Sequence, residues 1–147
     1  MLQLEGANFT VGRSRFSDSL PGSGEATSKV YVKVQPSAWP GALLAQLDTG
    51  APWSVFEPEI AESIGVLNGS GEVVELDTRF GRKRGRLERV VVTILADEGE
   101  SLNVEATIFV CQDWPDRMNF IGYNGLLERI RIGLDPPAYF FYFGPIP

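Results

Sequence analysis

Short apolar segments, separated by turns rich in glycine, proline and charge, are the feature that most constrains the fold of this sequence. Val30 to Val34 alternates valine with tyrosine and lysine, a pattern typical of a strand with one buried face. Further strand-like segments cover residues 42–47, 53–56, 72–80, 85–96, 102–111, 120–122, 132–135 and 139–143. Many short strands with frequent turns predict an all-β barrel or sandwich.

Two short helices are predicted between these strands. Pro58 suits the first position of a helix over residues 57–64, and Gly65 suits its end. Asn124 suits the cap of a second helix over about 125–131. Residues 1–28 are rich in glycine, serine and charge, so we predict an N-terminal arm there, ahead of a domain over residues 29–147.

The composition excludes several kinds of chemistry. The chain of 147 residues has no histidine, so it has no Ser-His or Cys-His nucleophile pair and no His-ligated zinc. Its one cysteine, Cys111, lies in an apolar segment and is predicted to pack in the core. We expect no metal and no cofactor, and the acid-base groups of an enzyme with this composition must be carboxylates, lysine, tyrosine or the one cysteine.

Charge and hydropathy narrow the expected partners and location. The net charge of -6 disfavours a uniformly basic surface, so no nucleic-acid partner is expected. The N-terminus lacks the basic start and apolar stretch of a signal peptide, and no segment has the length of a membrane span. A soluble, cytoplasmic protein without membrane association is the expectation.

The triplet Asp48-Thr49-Gly50 stands where an apolar strand ends. Gly50 permits a sharp turn and the close approach of another backbone, and Thr49 offers a hydroxyl group for hydrogen bonding. By itself the triplet also fits a plain turn in which an aspartate hydrogen-bonds its own backbone. The triplet alone therefore leaves both interpretations open.

A later segment adds to this triplet. Phe120-Ile121-Gly122-Tyr123-Asn124 is an apolar segment with a glycine, and Leu126-Leu127 follow on the predicted helix. Between them and the triplet lies a predicted β-hairpin. In these three elements, and in their order over about residues 30–143, the chain resembles retropepsin-like aspartic peptidases of the single-domain bacterial type. The resemblance implies a closed β-barrel whose hairpin is a flap over the active site.

The resemblance also implies the chemistry. Aspartic peptidases use two carboxylates that share one proton, because two anions about 3 Å apart do not both ionise. The sequence has one such triplet, so the resemblance implies a homodimer in which each subunit contributes Asp48, with Thr49 and Gly50, to one site. A water activated by the two carboxylates then hydrolyses peptide bonds of a peptide or protein substrate.

Two departures from the family pattern concern substrate binding. Where retroviral members carry a charged pair, this chain has Pro52, Trp53 and Tyr123, which suggests apolar packing in place of an ion pair. Trp53 is interpreted as either core or subsite, and Ala51 beside it as part of the substrate-binding loop. The predicted tip of the hairpin, Gly81-Arg82-Lys83-Arg84-Gly85, is basic. It fits a solvated turn, a flap that selects acidic substrates, or a contact with nucleic acid.

Two other functions remain open at the level of sequence. One is a non-catalytic dimeric binding or regulatory module with the same fold, because the geometry of a carboxylate pair belongs to the assembled dimer. The other is an unrelated small β-barrel in which Asp48 is only a turn residue.

Overall fold

The computed structural model describes all residues, 1–147, and consists mainly of strands. The fourteen strands are β1 (Gln3–Leu4), β2 (Ala7–Asn8), β3 (Gly12–Arg15), β4 (Ser17–Ser19), β5 (Ala26–Pro36), β6 (Leu43–Leu47), β7 (Ser54–Val55), β8 (Val73–Thr78), β9 (Gly81–Ile94), β10 (Glu98–Gly99), β11 (Leu102–Val110), β12 (Phe120–Ile121), β13 (Ile130–Asp135) and β14 (Phe140–Pro145). Every strand predicted from the sequence is present, with ends that differ by a few residues. The prediction of mostly β structure with one or two short helices is confirmed.

The larger sheet has eight strands in the order β4-β5-β6-β12-β7-β11-β9-β8. An additional antiparallel pairing of β5 with β9 joins two non-neighbouring strands of this order. Most pairings are antiparallel, but β12 runs parallel to β6 and β11 runs parallel to β7. The pairing of β12 with β6 brings two chain segments that are distant in sequence, the end of β6 and the end of β12, side by side.

The smaller sheet has four strands in the order β10-β3-β14-β13. Residues Gly12 to Phe16 belong to the predicted arm, yet β3 pairs with β14 and Phe16 is buried in the core. A side chain at Gly12 would meet the ring of Phe143 at 2.7 Å, so this stretch of backbone lies directly on the core. The division of the chain at residue 28 stays a prediction, but residues 12–16 themselves pack with the C-terminal strands.

Two apolar clusters form the interior. The larger has twenty buried residues and includes Phe141 and Phe143, so the C-terminal aromatic segment packs in the core of the single chain. The smaller comprises Val55, Phe109, Cys111, Trp114 and Phe120. The prediction that Cys111 is a core residue is confirmed, since it is 3% exposed. Burial raises the pKa of its thiol, which keeps the sulfur protonated near neutral pH.

The first predicted helix is confirmed and the second is wrong in type and extent. The α-helix α1 (Pro58–Ser63) begins with Pro58, and Gly65 follows its end with a φ of +84°. Residues 125–131 contain only a 3-10 turn, Leu127–Arg129, which Asn124 does not cap. The Asn124 N–H instead donates to the carbonyl oxygen of Pro52 at 2.9 Å, and Gly125 has a φ of +75°. A second 3-10 turn covers Pro136–Ala138. None of the helices is long and apolar enough to cross a membrane.

The predicted position of the hairpin turn is also wrong. Thr78 pairs with Gly81, so the turn between β8 and β9 is formed by Arg79 and Phe80 rather than by residues 81–85. The Thr78 hydroxyl donates to the carbonyl oxygen of Gly81 at 2.7 Å and accepts from the Phe80 N–H at 3.1 Å. Gly81 closes the turn with a φ of +99°, a conformation that glycine adopts without strain.

Candidate active site

The loop after β6 holds the carboxylate of Asp48. The Asp48 N–H donates to the carbonyl oxygen of Ile121 at 2.9 Å, which continues the parallel pairing of β6 with β12. One carboxylate oxygen of Asp48, Oδ1, accepts hydrogen bonds from the N–H groups of Gly50 at 2.9 Å and Ala51 at 3.2 Å. These are the bonds of a turn in which an aspartate caps its own backbone. They fix the orientation of the side chain and leave Oδ2 without a hydrogen bond inside the loop.

The segment after β12 crosses beside this loop and supports it. The Tyr123 N–H donates to the carbonyl oxygen of Ala51 at 2.9 Å. The Gly122 N–H donates to the hydroxyl oxygen of Ser54 at 2.9 Å, and both residues are buried. Gly122 was predicted from the sequence to belong to this region, whereas Ser54 was not. The local pattern that could have identified Ser54 is a small polar residue between two apolar neighbours. Such a residue is expected to be buried, and a buried hydroxyl group needs a hydrogen-bonding partner.

A cavity of about 240 Å³ lies over the loop. This volume is smaller than that of the ~300–1,000 Å³ pockets that bind drug-sized ligands. Asp48 lines the cavity, together with residues from the hairpin and from the smaller apolar cluster. The complete lining is Asp48, Gly50, Ala51, Pro52, Trp53, Val55, Leu76, Asp77, Thr78, Arg79, Phe80, Trp114 and Phe120. Its walls are mainly apolar, and its carboxylates are those of Asp48 and Asp77.

The predicted site residues separate into two groups. Asp48, Gly50, Ala51 and Trp53 meet at the cavity, and Thr49 is exposed beside them. Gly81, Arg82, Lys83, Arg84 and Gly85 lie along β9 and line no part of this cavity. The hairpin nevertheless reaches the cavity through residues 76–80, which precede the predicted tip. A role of residues 81–85 in substrate binding stays a prediction.

Three cations of β9, Arg82, Lys83 and Arg84, lie next to acidic partners. Arg82 binds Asp77 at 2.8 Å and Glu75 at 2.9 Å, and these hydrogen bonds, that with Asp77 foremost, raise the pKa of its guanidinium. Arg84 lies 3.5 Å from Glu75, and Lys83 donates to Asp113 at 2.9 Å. Acidic residues of β8 thus offset the positive charge of β9, which fits the interpretation of a solvated hairpin face.

Three aromatic rings join the hairpin turn to the floor of the cavity, and two of them, Phe80 and Trp114, were not assigned to the site from the sequence. The ring of Phe80 meets that of Trp114 edge to face, with centroids 5.3 Å apart and an interplanar angle of 84°. Trp114 meets Phe120 in the same way at 6.1 Å. The Trp114 indole N–H donates to the carbonyl oxygen of Met118 at 2.7 Å, which fixes the ring from the side of the loop. Edge-to-face pairs of this kind stabilise the packing of the turn against Trp114.

Two of the three residues that replace the charged pair, Trp53 and Tyr123, differ in burial. Trp53 is half-buried, packs against the smaller apolar cluster and also lines the cavity, so it has features of both the core and the subsite interpretation. Tyr123 is 51% exposed, so the expected apolar packing does not extend to it in the single chain. No group of three or more cysteine, aspartate or glutamate side chains is arranged to hold a metal ion.

Comparison with known proteins gives support at the level of fold. No protein-family model matches the sequence, and no curated protein matches it either. Among solved structures, a retropepsin-like aspartic protease from Rickettsia conorii is similar, with a TM-score of 0.56 and 18% sequence identity. The alignment covers 90% of this chain and 98% of that one. The two chains share a retropepsin-like fold. At this identity the similarity concerns the fold alone, and activity is a separate matter.

Proposed function

We propose that the protein is a homodimeric aspartic endopeptidase that hydrolyses peptide bonds with a water activated by two Asp48 carboxylates, one from each subunit. The observation that carries the proposal is the position of Asp48. Its carboxylate is oriented by the N–H groups of Gly50 and Ala51 and lines an apolar cavity in a chain with a retropepsin-like fold. A carboxylate at the edge of a largely apolar cleft is suited to acid-base chemistry on a bound peptide.

A second copy of the chain is part of the proposal because one chain supplies one suitable carboxylate. Asp77 also lines the cavity, but its Oδ1 accepts from Arg82 at 2.8 Å and its side chain is 82% exposed. Thr49 and Gly50 are exposed in the single chain, which leaves the loop accessible to a symmetric partner. Two-fold symmetry then brings the same carboxylate from both subunits to the axis.

The proposed mechanism follows from the sharing of one proton. The ionised carboxylate takes a proton from the attacking water, while the protonated one polarises the carbonyl oxygen of the peptide bond. The proton taken from water then goes to the leaving nitrogen. The pair titrates as a unit, so an apparent pKa belongs to both carboxylates together. The proposal needs no cofactor, and a cytoplasmic location remains part of it.

A peptide-library digest between pH 3 and 7 tests the proposal, with the wild type, Asp48→Asn and Asp116→Asn compared side by side. An asparagine keeps an oxygen that accepts from Gly50 and Ala51, so Asp48→Asn preserves the loop while removing the ionisable group. Cleavage is expected to fall by at least about a thousandfold, as for removal of a central catalytic group. The exposed Asp116 is the matched control for the change of charge.

Sedimentation of the same proteins at micromolar concentration tests the dimer. Full cleavage by Asp48→Asn, or cleavage by a strict monomer, contradicts the proposal. A stable dimer that cleaves no peptide supports the alternative from sequence analysis, a non-catalytic binding or regulatory module with this fold.

A further inference from the structure

The guanidinium group of Arg79 has an unusual environment at the turn of the hairpin. Its central carbon, Cζ, lies 4.9 Å from the ring centroid of Phe80 and 5.2 Å from that of Phe120. Arg79 is exposed and lines the same cavity as Asp48. Stacking on aromatic faces orients a guanidinium plane without using its N–H groups, which point outward from the edge of the plane.

Four other cations of the hairpin have an oxygen partner within the chain, and Arg89, which has none, lies away from the cavity. Arg82 and Arg84 bind acidic residues of β8, Lys83 donates to Asp113, and Arg86 donates to the carbonyl oxygen of Gly71 at 3.0 Å. Arg79 has no hydrogen bond or ion pair from its side chain, although Asp77 lies two residues away. Its five N–H donors are therefore oriented by the aromatic rings and available to a ligand.

The cavity beside Arg79 restricts what such a ligand contains. Trp53, Val55, Leu76 and Trp114 make its walls apolar, and its volume of about 240 Å³ suits one large side chain. An anionic group placed next to Asp48 would be repelled by that carboxylate, whereas one at the turn would meet the guanidinium. The lining thus favours an apolar group inside the cavity and an acidic group at the guanidinium of Arg79.

We propose that Arg79 is a specificity-determining residue, which binds an acidic side chain of a peptide whose neighbouring aromatic or large aliphatic side chain fills the cavity. This inference rests on the proposed peptidase function, which it extends by a substrate class. The carboxylate of glutamate or aspartate accepts two parallel hydrogen bonds from a guanidinium edge, a geometry that an amide side chain does not reproduce. The sequence suggested selection of acidic substrates by residues 82–84, but Arg79 is the cation at the cavity.

The experiment uses a series of peptides that contain one phenylalanine. The two positions before it and the two positions after it are varied in turn, and each holds either glutamate or glutamine. The ratio of kcat/KM for glutamate over glutamine is measured for wild type, Arg79→Gln and Arg89→Gln. Arg89 is an exposed cation of the same hairpin, in β9 and away from this cavity, and is the matched control. We expect a preference for glutamate of about tenfold at one position or more, as for a hydrogen-bonded charge pair. It should disappear in Arg79→Gln and persist in Arg89→Gln.

Binding of the same peptides to the Asp48→Asn protein, followed by fluorescence anisotropy, separates this inference from the proposed function. If no peptide is cleaved, the peptidase proposal fails. The dissociation constants of the glutamate and glutamine peptides, measured on Asp48→Asn with and without Arg79→Gln, then test whether Arg79 binds the acidic side chain. Equal use of glutamate and glutamine, a preference that persists in Arg79→Gln, or the absence of any peptide binding overturns the role of Arg79.

Discussion

Gly122 and Ser54 are joined by a buried hydrogen bond of 2.9 Å, from the glycine N–H to the serine hydroxyl oxygen. The bond links the segment after β12 to β7, directly behind the loop that carries Asp48. A side chain at Gly122 would lie 2.8 Å from the backbone nitrogen of Ser54 and closer still to the carbonyl group of Trp53. The position of Asp48 therefore depends on the absence of a side chain at one residue and on a hydroxyl group at another.

Gly122→Ala is expected to destabilise the fold, because the added methyl group meets backbone atoms that have no room to move. The free energy of unfolding should fall by about 2–3 kcal/mol, a typical cost of overpacking. Urea unfolding followed by tryptophan fluorescence measures it. Gly41→Ala is the control, because no atom lies within 4 Å of the added carbon there. Equal stability of the two variants would contradict the expectation.

Ser54→Ala removes the acceptor of the Gly122 N–H and leaves that group buried without a partner. An unsatisfied buried donor costs about 1–3 kcal/mol, so the unfolding midpoint in urea should fall accordingly. Ser70→Ala, at an exposed serine, is the matched control and should change stability by less than about 0.5 kcal/mol. An unchanged midpoint for Ser54→Ala would show that the hydrogen bond does not contribute to stability.

The strands and the loop after β6 were predictable from the sequence because local patterns specify them. Alternating or continuous apolar segments mark β5, β6, β9 and β11, and Asp48-Thr49-Gly50 marks the point where β6 ends. Gly65 marks the end of α1 in the same local way. Such features depend on residues that are neighbours in sequence, which makes them readable without knowledge of the fold.

The register of the hairpin was not predictable, because pairings across the hairpin and contacts with residues outside it determine it. Arg82-Lys83-Arg84 has the polarity of a turn, yet Arg82 and Arg84 face Asp77 and Glu75 across the sheet. Gly85 lies in a strand, where an added side chain would meet the Phe109 ring at 2.6 Å. The contact of Phe80 with Trp114 joins a turn to a loop elsewhere in the chain. None of these pairings has a local signature, and they place Arg79 rather than residues 81–85 at the cavity.

The carboxylate of Asp97 connects the two sheets and gives stability a dependence on pH. It accepts hydrogen bonds from the ammonium group of Lys33 in β5 and from the N–H of Arg15 in β3, the latter at 2.8 Å. The hydrogen bond with Lys33 is the main cause that lowers the pKa of Asp97 below its ordinary value of 3.8. A group whose pKa is lower in the folded state than in the unfolded state stabilises the protein at pH values above its unfolded-state pKa. This stabilisation is lost as the pH falls through the folded-state pKa.

Asp97→Asn is therefore expected to reduce the free energy of unfolding by about 0.5–1 kcal/mol at pH 7, a modest effect because the side chain is 38% exposed. The difference from wild type should shrink below about pH 4 and vanish once the native carboxyl group is protonated. Urea unfolding at pH 7, 5 and 3 measures it. Asp116→Asn controls for the change in net charge. A difference that stays constant from pH 7 to pH 3 would contradict the assignment.

Phe80→Ala tests whether the aromatic contacts hold the hairpin turn over the cavity. The change removes the edge-to-face pair with Trp114 and the contact of Phe80 with Phe120, whose centroids lie 6.4 Å apart. Loss of such contacts should raise the population of locally open states, so amide hydrogens of residues 76–83 should exchange about tenfold faster. Hydrogen exchange read by mass spectrometry measures this, and β11 should keep its wild-type protection.

Val73→Ala, at an exposed residue of the same hairpin away from the turn, is the control. Unchanged exchange at residues 76–83 in Phe80→Ala would mean that the backbone pairing of β8 with β9 holds the turn without the rings.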